Sequence, residues 1–197
     1  HLGHGPGELP VDRGFERSVT MADTGADNWE QKPYLPIYEQ ANWFEDGERL
    51  KLPEDFYSST YLVDRMIEFI DAGLDDGRPF FAYLPFQAVH IPVQAPRAWT
   101  ERYLGTYDEG WEVLRTERLE RAIARGIVPA DTALRRMETT DAWASLSQDE
   151  RRLLAKRMAV YAGMVSAMDA EVGRLVAFLE ARGVAEDTVF VVTSCNA

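Results

Sequence analysis

The stretch that most restricts the possible folds is a long amphipathic stripe running straight into a short β-type run. Leu154, Met158, Tyr161, Val165, Met168, Val172, Leu175 and Leu179 recur every three or four residues, the period of one helix face. Ser147 and Glu150 stand ahead of the stripe at capping-box spacing, and Gly183 follows it. Both ends therefore carry the local chemistry that starts and stops a helix. A turn from Gly183 to Asp187 then leads into Thr188-Val-Phe-Val-Val-Thr193, a β-branched and aromatic run of strand length. Such a stripe would also suit a coiled coil; the run that follows it favours packing on a sheet.

A second helix–strand pair lies earlier. Tyr61, Leu62, Met66, Phe69 and Ile70 predict a helix from about Ser58 to Ala72, ended by Gly73 and Gly77. Pro79-Phe-Phe-Ala-Tyr-Leu84 reads as a buried strand stopped by Pro85, and Pro92 and Pro96 make the following segment a rigid extended loop. Residues 108–125 and 130–139 are charged and helical in composition, so they are expected to form a surface excursion. The order helix, strand, surface helices, helix, strand predicts an α/β fold, part of a mainly parallel sheet flanked by helices.

Residues 1–55 have no sustained periodicity and are rich in Gly, Pro and Asp. Their aromatics, Trp29, Tyr34, Tyr38, Trp43 and Phe44, favour an ordered loop, because disordered segments are poor in such residues. Long ordered loops are often binding regions. In α/β sheets ligands gather beyond the carboxyl ends of the strands. There the sequence places His90 after the first run, and Ser194, Cys195 and Asn196 after the second.

Composition closes off several classes. With 197 residues, 46% of them apolar, the chain can bury a sizeable core, and one domain is the default expectation. A net charge of −12 is the wrong sign for a nucleic-acid surface. The single cysteine excludes an internal disulfide framework and any multi-cysteine zinc module. No apolar run approaches the length of a membrane span.

Five segments, in order, resemble the sulfatase family of the alkaline-phosphatase-like superfold, particularly the bacterial arylsulfatases. They are His1-Leu-Gly3, Arg13-Gly-Phe-Glu-Arg17, the stretch from Pro79 through His90 to Pro96, Tyr161 to Gly173 with Asp169 inside it, and Thr188 to Ala197. The resemblance implies a sulfuric ester hydrolase that splits a small sulfate ester into an alcohol or phenol and sulfate. It implies a formylglycine nucleophile and a Ca2+ or Mg2+ ion. By the same matching, His1 is the histidine near the nucleophile, His90 touches the sulfate and protonates the leaving alcohol, and Asn196 is a metal ligand. Cys195 stands where the family has an aspartate ligand.

The sequence departs from the family in two ways. No Cys/Ser-x-Pro-x-Arg motif occurs in it, and a thiol is a soft ligand for a hard cation. Residues 1–197 are therefore expected to be part of a sulfatase catalytic domain, without its nucleophile segment and its C-terminal portion. Alone they are expected to be inactive and to bind calcium weakly or not at all. Two other readings stay open: a non-catalytic homologue that acts as a binding protein, and a phosphodiesterase of the same superfold.

Overall fold

The computed structural model describes residues 5, 7–23, 25–135 and 137–194. The chain divides into two compact units. One contains residues 1–92 and 167–197, the other residues 93–166.

The first unit is built on the N-terminal loop region. Three short strands, β1 (Val19–Met21), β2 (Trp43–Glu45) and β3 (Glu48–Arg49), form an antiparallel sheet in that order. Val19 stands opposite Glu45 and Phe44 opposite Arg49. The β2–β3 turn is Asp46-Gly47, both with positive φ (49° and 89°), the backbone that tight hairpins require and that Asp-Gly supplies. The Asp46 carboxylate also accepts the Ser18 N–H at 2.7 Å and pairs with Arg17, so the hairpin tip is fastened to the approach to β1.

Long irregular segments stay ordered only if their backbone groups find partners. Here the Gln31 amide does much of that. Its Nε2 donates to the carbonyls of Ala41 and Leu50, and its Oε1 accepts the Leu52 N–H. Beneath these bonds Trp43, Phe56, Ala26, Ala41, Leu52 and Leu62 form a buried cluster. Trp43 and Phe56 meet edge to face at 5.3 Å, a favoured aromatic geometry. The aromatic content of residues 1–55 thus builds a core.

Helix α1 (Ser58–Leu74) packs on this cluster through Leu62 and Tyr61, close to the expected span. Thr60 donates to Glu171 at 2.7 Å, and Arg174 reaches Asp64 at 2.6 Å. Both partners lie on the later part of α4 (Gln148–Ala181).

Among the described residues the sheet is the antiparallel one above, and the two apolar runs take no part in it. Residues 79–84 and 188–193 are extended but belong to no strand. A strand exists only where a neighbour takes up its hydrogen bonds, and neither run supplies one for the other. Leu84 packs on the core cluster and Phe81 tilts against Phe15. Phe81 is nonetheless 80% exposed, and Val192 of the second run is 93% exposed.

In the second unit, α2 (Arg97–Thr100), α3 (Trp111–Ala124) and the first part of α4 are joined by turns. Trp143 is buried and meets Trp111 edge to face at 4.8 Å. Its N–H donates to Glu112 and its carbonyl accepts from Arg151. Residues 130–139 are not helical where they are described, a correction to the compositional expectation. The Arg135 carbonyl accepts from Arg115 at 2.7 Å and the Thr132 N–H turns back to Pro129. Groups that a helix would need are thereby spent on turns.

Helix α4 carries the predicted capping box. Ser147 Oγ and N–H both donate to Glu150, and the Glu150 N–H returns to Ser147 Oγ at 3.3 Å. The large-residue stripe is buried only in part: Leu179 is buried, while Tyr161 and Val165 are exposed. Ala155, Ala159, Met164 and Ala167 are buried as well, and at Gly163 the backbone of a neighbouring element comes close. A Cβ added at Gly163 would lie 2.8 Å from the Thr100 nitrogen.

Candidate functional site

Of the residues singled out from the sequence, the structure places His90. His1, Cys195 and Asn196 lie outside the described residues. Whether they join His90 in one site is an expectation carried by the family resemblance.

His90 sits in a tight loop from Gln87 to Pro92. Its N–H donates to the Gln87 carbonyl at 2.9 Å, closing the turn. The ring is exposed, and Nδ1 lies 2.6 Å from the carbonyl oxygen of Ile91. Gly25 packs behind that contact. A Cβ there would lie 3.3 Å from both His90 Nδ1 and the Ile91 oxygen. Tyr34 stands edge-on to the imidazole, with centroids 6.2 Å apart, and its N–H donates to the Gly25 carbonyl at 3.3 Å.

The loop is tied to the N-terminal region by Asn28, which is 1% exposed. Asn28 Nδ2 donates to the Pro92 carbonyl at 3.3 Å. Its Oδ1 accepts from Gln87 Nε2 at 3.3 Å and from Ser58 Oγ at 2.5 Å. Gln87 Nε2 also donates to the Ala26 carbonyl at 3.1 Å. Asn28 is held in turn where α1 begins, since its own carbonyl accepts the Ser58 N–H at 2.9 Å.

Sequence reading found the histidine through its proline-flanked loop. It missed Gly25, Asn28 and Tyr34, whose roles depend on contacts across tens of residues. The only local hint was a turn motif at Asp27, whose carboxylate accepts the N–H groups of Trp29 and Glu30 and so bends the chain at Asn28.

The described residues do not furnish a cation site. Among them no three His, Cys, Asp or Glu side chains converge as metal ligands would, and no step below runs through a metal. No described helix is long and apolar enough to cross a membrane.

Comparison with known proteins gives consistent results. The chain is 36% identical over 198 residues to an arylsulfatase of Klebsiella aerogenes, covering all of this chain and 42% of that protein. It is 32% identical over 208 residues to an uncharacterized sulfatase of Schizosaccharomyces pombe, covering 37% of it. The chain thus spans well under half the length of these curated relatives. The crystal structure of Ps i-CgsB superposes on 93% of the chain with a TM-score of 0.55 at 21% identity, and covers 32% of that protein. That protein in complex with k-i-k-neocarrahexaose gives the same TM-score. The shared fold is the α/β, alkaline-phosphatase-like one. The family model for sulfatases matches residues 6–196; this chain belongs to the sulfatase family.

Proposed function

We propose that the protein containing these residues is a sulfuric ester hydrolase of the arylsulfatase type, and that residues 1–197 form part of its catalytic domain. The observation that carries this reading is the 36% identity to an arylsulfatase over the whole chain. The setting of His90 supports it: an exposed imidazole in a proline-bounded loop, with one ring nitrogen already occupied by a backbone carbonyl.

In this reading His90 contacts the sulfate and supplies the proton that the leaving oxygen needs. As the oxygen of the nucleophile bonds to sulfur and the bond between sulfur and the ester oxygen breaks, the ester oxygen keeps that bond's electron pair. It takes the proton from Nε2–H of the protonated ring, whose N–H electron pair stays on Nε2. Proton transfer of this kind contributes roughly 10²–10⁴-fold to rate. Tyr34, edge-on to the ring, supplies an apolar wall that limits how the imidazole can turn.

Sulfatases as a family generally depend on a metal. Here the ion would be Ca2+ or Mg2+, with Asn196 and, less suitably for a hard cation, Cys195 as candidate ligands. When bound, such an ion stabilises charge on the sulfate oxygens. His1 is proposed as the histidine near a formylglycine nucleophile, whose encoding motif does not occur in this sequence.

The test is turnover of aryl and alkyl sulfates by the whole protein, native and His90→Gln. A general acid matters most when the leaving group is a poor one. The substitution should therefore cost about 10²–10⁴-fold in kcat on an alkyl sulfate and much less on 4-nitrophenyl sulfate. Equal losses on both would remove His90 from the proton-donor role. Absence of any sulfate ester turnover by the whole protein would overturn the functional reading.

A further inference from the structure

The geometry points to Asn28 as the positioning residue that fixes which nitrogen of His90 is reactive, with Gln87 as its partner. The inference rests on the reading of His90 given above, but its physical content is separate. A carbonyl oxygen can only accept a hydrogen bond. The 2.6 Å contact between Nδ1 and the Ile91 oxygen therefore requires the proton on Nδ1. Neutral His90 is then the Nδ1–H tautomer, with its lone pair on Nε2. The same bond persists when the ring is protonated, so Nε2 alone gains and loses the proton. The tautomer of a functional histidine is set in this way by what its other nitrogen touches.

Such a bond holds only if the loop holds, because Ile91 adjoins His90 and turns with it. The structure fixes the loop at both ends through one side chain. Asn28 Nδ2 donates to the carbonyl of Pro92, and Asn28 Oδ1 accepts from Gln87 Nε2. The Asn28 carboxamide offers a donor to one end and an acceptor to the other from separate atoms. The clamp cannot swing, since Ser58 Oγ donates to the same Oδ1 and the site is buried. Gln87 adds a second tie through the Ala26 carbonyl, one residue from Gly25. Gly25 in turn packs closely behind the Nδ1–Ile91 contact, where a Cβ would lie 3.3 Å from both atoms and press on them. Asn28 lies far from His90 in sequence and touches no ring atom in the contacts above, so its effect runs through the backbone of the loop.

The test is nitrogen-15 NMR of the imidazoles in the uniformly labelled 197-residue chain at about pH 8.5, well above the ordinary histidine value of about 6.5. His90→Gln identifies the His90 signals among the three histidines. Native His90 is expected as the Nδ1–H tautomer. Asn28→Asp keeps the acceptor for Ser58 and Gln87 but removes the donor to Pro92, and Gln87→Met removes both amide donors at the other end. Each should shift the tautomer ratio toward Nε2–H by about fivefold, the worth of one ordinary hydrogen bond, while the remaining backbone amide spectrum stays native.

Gly25→Ala is the second route should Asn28→Asp fail to fold, since it presses on the same contact from behind. A native His90 in the Nε2–H form would overturn the inference. So would a native Nδ1–H form unchanged in Gln87→Met and in every folded variant at Asn28 or Gly25. If the tautomers behave as expected and the whole protein turns over no sulfate ester, the clamp stands and the functional reading falls.

Discussion

At the scale of single residues, close approach decides more than side-chain chemistry. Gly110 has φ +86°, and a Cβ built on it would lie 2.3 Å from the Trp143 ring. Gly110→Ala therefore adds a penalty of about 1–3 kcal/mol for a side chain at φ 86° and ψ −179° to an overpacking cost of about 1–3 kcal/mol. Urea denaturation should show a loss of roughly 2–6 kcal/mol in the unit that holds Trp143. A change below about 0.5 kcal/mol would mean that the indole moves aside freely. Gly73 provides the contrast within one experiment. It has no neighbour within 4 Å of a built Cβ and no positive φ, and Gly73→Ala should leave stability unchanged or slightly raised.

At the scale of elements, what could be read from the sequence was the chemistry confined to a few adjacent residues. The start of α4 was legible because Ser147 and Glu150 cap within four positions, and its stop because Gly183 follows at φ +71°. α1 was legible from its stripe and the glycines after it. The β2–β3 hairpin was equally local, in Asp46-Gly47, but its strands of two or three residues are too short to show alternation. The stripe of α4 was legible in part: Leu179 is buried, but Tyr161 and Val165 are exposed while Ala155 and Ala159 are buried, and the close approach of Gly163 to the Thr100 backbone leaves no periodic signal. The Asn28 clamp was not legible at all, because it joins residues 28, 58, 87 and 92, whose spacing follows no period.

The capping box gives the pH dependence of that element. The Ser147 hydroxyl and backbone N–H hold the Glu150 carboxyl below the usual carboxylate range. A depressed folded value means the folded state releases this proton more readily than the unfolded chain. The contribution is therefore present above the unfolded value of about 4.3 and is lost as pH falls through the folded value. Amide exchange in the first turn of α4 should accelerate, relative to the helix middle and after correction for intrinsic rates, as pH falls from the unfolded value through the lower folded one. Ser147→Ala, which removes the hydroxyl and keeps the backbone N–H, should reduce that difference and weaken the helix by about 1 kcal/mol. If the first turn of native protein and variant responded identically to acid, the cap would have no role.

At the scale of the whole molecule, two forces oppose each other. Residues 79–84 and 188–193 present exposed, extended, unpaired apolar runs; Val189, Val191 and Val192 are all more than 80% exposed. Surfaces of this kind add strands from other chains or self-associate. Against that stands a net charge of −12, which keeps copies apart until salt screens it. The Debye length falls from about 10 Å at 0.1 M to about 3 Å at 1 M. Sedimentation velocity on the 197-residue chain should therefore show association that increases with salt.

Paired substitutions separate the two causes. Val191→Lys makes the chain less negative and Val191→Asp makes it more so, yet both put a charge on the apolar run. If the runs drive association, both variants associate less than the native chain at every salt concentration. If net charge alone governs it, Val191→Lys associates more and Val191→Asp less, and the difference vanishes at high salt. The runs lie immediately before the His90 loop and before residues 195–197, which hold the proposed metal ligands. Any contact that covers them therefore bears on the site itself. A variant that suppresses association should also show whether His90 keeps its Nδ1–H tautomer in the monomer, as the Asn28 clamp requires.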